Sequence, residues 1–376
     1  MKKIIAISVM FALVIGAAFA DVSVSGGYHM SFDLAVDKVQ GNGEDVGMGR
    51  YGAGGDVGVS AEGDNAGGKL RIWGDNYHAA TGIGDHALVW WKPIDQLKIQ
   101  LGGWDGDWGH NQIIGWGFTE GAKDTVALET RYAGDKAPGF WGGFNQGLSL
   151  FISPADGIEI DIGIPVGRND SASKPYSTAV IFSNTKINVK ADIPNIGTAK
   201  FALALNKGDL GTDTSAVAKD AELITDIYVA FYLSALESSG MGAELGLGVT
   251  TSGTTGKKND KIDLGVGFKY EAGDLGLKAG LGVGFGDANK VGTKTLIPLS
   301  VQVLPYYNLG ALTAYLNAGF DTKLGADDTV VSITFNPYVK VPISGGNFWA
   351  GVKFFNSGVK GADAQWSIPI GFNYGF

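Results

Sequence analysis

The densest concentration of reactive side chains is Trp104-Asp105-Gly106-Asp107-Trp108-Gly109-His110. Its two carboxylates and imidazole are of the kind that hold a cation, and its tryptophans offer faces on which a sugar ring stacks. The same composition also describes a tight loop with interfacial aromatics. Gly280-Leu281-Gly282-Val283-Gly284-Phe285-Gly286 has the glycine spacing of a dinucleotide loop. Such a loop must open a helix whose N-terminus meets the phosphates, and no helical pattern follows. The four histidines, His29, His78, His86 and His110, lack a metal spacing such as His-x-x-x-His. No Ser/His or paired-carboxylate site can be nominated for hydrolysis. Neither an enzyme, a metal nor a cofactor is therefore expected.

With chemistry of that kind set aside, composition narrows the class. The 376 residues contain no Cys, which excludes a lipoprotein anchor and any disulfide framework. A net charge of −9 argues against nucleic acid as a partner, because phosphate binding needs a basic face. There are 60 Gly, 9 Trp, 13 Tyr and 19 Phe, with only 18% charged residues, a mixture poor for helices. Lys2 and Lys3 precede the apolar run Ile4 to Ile15 and then Ala18-Phe19-Ala20, the small-x-small pattern of a signal-peptidase site. Residues 1–20 read as a signal peptide that is removed, and residues 21–376 read as one domain without a linker.

The decisive signal is a period of two. Trp366, Ile368, Ile370, Phe372, Tyr374 and Phe376 alternate with Ser367, Pro369, Gly371, Asn373 and Gly375. Successive side chains of a strand point to opposite faces, so this strand has one apolar face and one polar or small face. Val22, Val24, Tyr28, Met30, Phe32 and Leu34 repeat the pattern at the other end of the mature chain. Many runs between them do the same, among them Ile158/Ile160/Ile162, Phe201/Leu203/Leu205 and Ile262/Leu264/Val266/Phe268/Tyr270.

Short turns such as Lys92-Pro93-Ile94-Asp95, Ser153 to Gly157, Pro194 to Gly197, Glu271 to Asp274 and Tyr307 to Gly310 join many of these runs. Longer connections rich in Gly, Asp, Lys and Thr join the others, none above roughly 18 residues, which is short for a dedicated binding surface. That asymmetry belongs to a transmembrane antiparallel β-barrel. The pattern predicts an all-β fold of about 20 strands within a range of about 16 to 20, the parity being even. Residues 112–119, 124–132 and the region 176–193, as one strand or two, are its weakest members. Aromatics near strand ends, such as Trp90 and Trp91, Tyr306 and Tyr307, and Tyr374 and Phe376, suit interfacial girdles.

The leader, the alternating strands and the terminal Trp366 to Phe376 together resemble a bacterial outer-membrane porin. The resemblance implies an outer-membrane location, lipid around the barrel and passive diffusion of small hydrophilic solutes and ions. It also implies that barrel-assembly machinery reads a terminal signal carried by Tyr374 and Phe376. General porins fold a long loop into the pore, whereas the third long-side connection here, Trp104 to Asn111, reads as short, and 166–183 is the alternative. A second copy of the chain is a further candidate partner. A surface adhesin or structural protein is the other function class.

Assigning the polar phase of each strand to the lumen makes Arg71, Lys98, Glu129, Arg131, Lys190, Lys200, Lys278 and Lys353 pore-lining. Lys269, Lys340, Glu159, Asp161, Asp192, Asp226, Glu244 and Asp263 fall on the same phase. The signs nearly balance, which predicts a hydrated, self-compensating wall with weak ion preference.

Overall fold

A strand with one apolar and one polar face still carries unpaired N–H and C=O groups along both edges, and in hydrocarbon those edges must find partners. The computed structural model shows how they do so. It describes residues 21–37, 51–75, 78–83, 87–103, 113, 147–165, 185–207, 223–252, 260–286, 290–291, 294–326, 330–359 and 364–375.

The staves in chain order are β1 (Asp21–Asp37), β2 (Tyr51–Glu62), β3 (Ala66–Asp75) and an interrupted β4 (His78–Ile83 and Leu88–Ile94). Next come β5 (Leu97–Gly102), β6 (Gly147–Ala155), β7 (Ile158–Pro165), β8 (Lys186–Ile193), β9 (Gly197–Lys207) and β10 (Leu223–Leu233). They are followed by β11 (Met241–Ser252), β12 (Lys261–Ala272), β13 (Leu275–Gly286), β14 (Ile297–Asn308) and β15 (Thr313–Leu324). The ring ends with β16 (Val331–Ile343), an interrupted β17 (Gly346–Gly351 and Lys353–Asn356) and β18 (Gln365–Gly375).

Each stave pairs antiparallel with the next, and β18 returns to β1 through pairs such as Gly27 with Gly375 and Phe372 with Met30. The sheet contains 20 strand segments. Because β4 and β17 are each one stave in two pieces, the closed barrel has 18 staves. The parity is even, and the number lies inside the expected range of about 16 to 20, two below the central reading of 20.

That shortfall has a definite place. Leu97 to Leu101 of β5 pair directly with Ile152 to Leu148 of β6, so the wall leaves no room between them for strands at 112–119 and 124–132. Apart from Ile113, those two stretches lie outside the described residues. The third long-side connection therefore runs from 103 to 146, which replaces both the short Trp104 to Asn111 connection and the length limit read from the sequence. The region 176–193 supplies a single described strand, β8.

Local chemistry sets the turns on the short side. Asp156-Gly157 and Gly273-Asp274 each close a hairpin in two residues, with Gly157 at φ 75° and Gly273 at φ 58°, angles that a side chain disfavours. The one 3-10 turn described, Ser234–Ser239, joins β10 to β11 and ends on Gly240 in the left-handed region. Its segment carries no alternation and was not anticipated. Residues 1–20 lie outside the described residues.

The two faces of the ring differ sharply. Outward residues such as Val24, Leu245 and Ile333 are exposed, whereas Ser149, Asp161, Asp226, Gln302 and Asn317 on the alternate phase are buried. Inward aromatics make use of small neighbours. Trp90 lies over Gly67, Tyr306 over Gly276 and Trp349 over Gly371, each pair directly opposite in the ladder. A Cβ at any of these glycines would fall within the ring beside it. The expected interfacial role of Trp90 and Tyr306 is thus corrected, because their rings face inward, while Trp91, Tyr307 and Tyr374 face outward and are exposed. We expect Gly371→Ala and Gly276→Ala to destabilise the barrel by about 1–3 kcal/mol each through overpacking. Urea titration of the folded, heat-modifiable band would show it as an earlier midpoint than for Gly375→Ala.

Candidate functional site

The inner wall is where charged and aromatic side chains converge, and alternation along each stave aims them there. On β5 to β8 one row runs through Lys98, Phe151, Asp161 and Asn188. Lys98 Nζ sits 4.0 Å from the centre of the Phe151 ring, a cation–π contact. The next row carries Glu159, Lys190 and Lys200. There Lys190 Nζ lies 3.4 Å from Glu159 Oε1 and 3.1 Å from Asp192 Oδ2, and Thr198 donates to Asp192 at 2.7 Å.

The pattern of opposite signs in contact continues around the ring. Lys261 pairs with Asp263 at 2.7 Å and Lys269 with Glu271 at 3.4 Å, while Thr250 Oγ1 donates to Asp226 at 2.7 Å. Lys278 stands beside Lys269 in the ladder. Lys353 stands opposite Ser367. Charges held this close largely cancel beyond a Debye length.

Two groups on β14 to β16 escaped the sequence reading. Tyr306, Tyr315 and Tyr338 form one ladder row, with centroids 5.5 Å apart at 30° and then 4.8 Å apart at 5°. Tyr306 donates its hydroxyl to Glu271, and Lys340 Nζ lies 5.4 Å above the Tyr315 ring. Gln302 donates to Asn317 on the neighbouring stave. Counting phase from the polar Ser300 and Gln302 would have placed Tyr306 inward.

A third feature is a nearly bare stretch of wall. On β11 to β13 the buried inward positions include Gly246, Gly248, Gly265, Gly267, Gly280, Gly282 and Gly284. The glycine run that superficially suits a dinucleotide loop is therefore strand, facing inward at alternate residues. Glu244, opposite Gly267, accepts the backbone N–H of Ile113 at 2.8 Å, and Ile113 is completely buried. One point of the 103–146 connection thus sits inside the ring against β11. Missing side chains leave space for backbone to approach, which gives these glycines a packing reason.

Arg71 pairs with Gly58 in the ladder of β2 and β3. Glu129, Arg131, Phe376 and the Trp104 to His110 segment lie outside the described residues. Tyr374 faces outward, its ring stacked on Phe372 at 6.2 Å and its backbone opposite Tyr28 at the closing seam. Among the described residues no cluster of three or more His, Asp or Glu side chains suits a metal ion.

Among solved structures the chain is similar to OccK9 (OpdG) of Pseudomonas aeruginosa, at 16% identity over 95% of this chain and 98% of that one, with a TM-score of 0.57. It is similar to in-vitro folded OmpT, an outer membrane protein of Vibrio cholerae, at 12% identity over 95% and 98%, with a TM-score of 0.51. A structure of engineered proteins with asymmetric conductivity matches at 14% identity over 95% and 100%, with a TM-score of 0.51. No protein-family model and no curated protein matches the chain. Ring closure, face alternation and these likenesses define a transmembrane antiparallel β-barrel with the fold of bacterial outer-membrane proteins.

The Ile113 contact is directly testable. Glu244→Ala removes the acceptor of a buried N–H, a loss of about 1–3 kcal/mol. Hydrogen–deuterium exchange of the peptide containing Ile113 should accelerate by roughly 5- to 100-fold, while Glu244→Gln, which keeps an acceptor oxygen, should stay near wild type.

Proposed function

We propose that this barrel is an outer-membrane porin, a water-filled channel for passive diffusion of small hydrophilic solutes and ions, and not an enzyme. The observation that carries this reading is the inner wall itself, with polar and oppositely charged side chains facing inward around 18 closed staves. A ring of that size encloses more space than its side chains fill, so an aqueous passage is the physical default. Ile113, held by Glu244, brings one point of the connection between β5 and β6 to the inner wall. Of the similar structures, one is described as an outer membrane protein and another by its conductivity.

In this reading residues 1–20 direct export and are removed, and the outward apolar residues meet outer-membrane lipid. Barrel-assembly machinery reads the last strand through Tyr374 and Phe376. Lys98, Lys190, Lys200, Lys278 and Lys353 line the passage together with Arg71, and Glu129 and Arg131 belong to the same set. The close pairs of opposite charge make its selectivity weak.

Purified protein in planar bilayers should give stepwise conductance with little ion preference. Replacing Lys190, Lys200 and Lys278 together with Glu should raise the cation-to-anion permeability ratio by roughly twofold or more, seen as a shifted reversal potential. Silence from verified folded protein would overturn the porin reading in favour of a surface adhesin or structural role. An unchanged reversal potential would instead refute the placement of these lysines along the ion path. Deleting Phe376 should lower the amount of heat-modifiable barrel in outer-membrane fractions well below that of Gly375→Ala, and equal yields would remove the terminal signal from the proposal.

A further inference from the structure

A chain without Cys has no disulfide with which to staple neighbouring staves. Phenols are the other side chains that one-electron oxidation can join, through a carbon–carbon bond between ring positions next to the two phenolic carbons. That bond forms from two phenoxyl radicals. Their unpaired density lies in π-orbitals perpendicular to the rings, so coupling needs two tyrosine rings that are parallel, overlapping and held in place while each is oxidised.

Tyr315 and Tyr338 meet that requirement on the inner wall. They stand directly opposite each other on β15 and β16, with centroids 4.8 Å apart and planes 5° apart. With ring faces in contact at about 3.5 Å, the centres are slipped by roughly 3 Å, which brings edge carbons of one ring over edge carbons of the other. Tyr338 is buried, and Lys340 Nζ lies 5.4 Å above the Tyr315 ring. Tyr306 extends the row at 5.5 Å and 30°, is half-buried, and donates its hydroxyl to Glu271. A carboxylate that accepts the phenolic proton as the electron leaves makes Tyr306 the natural point of entry for oxidation. Tyr28 and Tyr374 are also directly opposite each other, but on the exposed outer face.

We infer that Tyr315 and Tyr338 are an oxidative cross-linking site, which a small one-electron oxidant in the lumen converts into a bityrosine staple between β15 and β16. The carbonate radical anion represents the class of oxidant. Each equivalent takes one electron, and with the one proton released it becomes bicarbonate. When oxidation enters at Tyr306, the phenolic proton passes to Glu271. Tyr306 then takes an electron from Tyr315 and recovers its proton from Glu271, while Tyr315 gives its own proton to lumen water. Once Tyr338 has been oxidised in the same way, the two radicals pair their electrons in a carbon–carbon bond, and each joined carbon returns its hydrogen to its own ring oxygen through water. Two electrons and two protons leave in total, and no atom is added. Access of the oxidant to this row rests on the aqueous-passage reading.

The folded, full-length protein in lipid can be treated with peroxynitrite in bicarbonate buffer, which supplies the carbonate radical together with nitrogen dioxide. Trypsin cuts at Lys323, between the two tyrosines. We expect bityrosine fluorescence and a linked pair of peptides carrying Tyr315 and Tyr338, lighter than their sum by two hydrogens. Tyr315→Phe and Tyr338→Phe keep the ring stack and should each abolish the link, whereas Tyr306→Phe should lower its yield several-fold. A link between Tyr28 and Tyr374, or between separate chains, in place of this one would overturn the inference. Nitration at Tyr306 without the link would overturn it as well, since the oxidant had then reached the row and the pair had not coupled. Absence of both nitration and link would do the same and would in addition count against an aqueous passage.

Discussion

Every backbone N–H and C=O at membrane depth must be paired within the protein, because hydrocarbon offers no substitute. For strands this forces closure, and the seam between β1 and β18 is where the requirement is met. The interruptions show how strictly it holds. β4 and β17 are each broken, yet both pieces of β4 pair with β3 and both pieces of β17 pair with β16 and β18. The ladder to β3 thus spans the break in β4, and the ladders to β16 and β18 span the break in β17.

Closure at 18 staves creates the second constraint, an interior too wide for its own side chains. The wall answers it in three ways. Charges are matched at short range, as with Lys190 between Glu159 and Asp192. Aromatics lie flat across glycines of the next stave, as Trp349 does over Gly371. Where β11 to β13 are nearly bare, backbone from a distant connection approaches, fixed at Ile113 by Glu244. Each arrangement uses a residue's phase on its strand, so a one-residue slip in register would turn all of them outward at once.

Much of this was legible in the chain itself. Alternation at Trp366 to Tyr374 and at Val22 to Leu34 identified the two strands that close the ring, because a period of two survives any tertiary context. The glycine run from 280 to 286, which no helical pattern follows, is one face of a strand for the same reason. Aromatics were harder. Trp90 and Trp91 are adjacent and chemically alike, yet one lies over Gly67 inside and the other faces out, and only phase relative to neighbouring staves separates them.

What the sequence determined by itself was the class of structure: alternation, an apolar outer phase, a polar inner phase and turn chemistry are local properties, written within a few residues of each strand. Tertiary structure alone decided which strands are neighbours. β5 pairs with β6 across 44 intervening residues, and nothing local to 112–119 or 124–132 states that the wall closes without them. The same pairing places Ile113 inside the ring beside Glu244, 131 positions further along the chain. Strand number and the inward contact both follow from ring closure, a property of the whole sheet that no window of sequence contains.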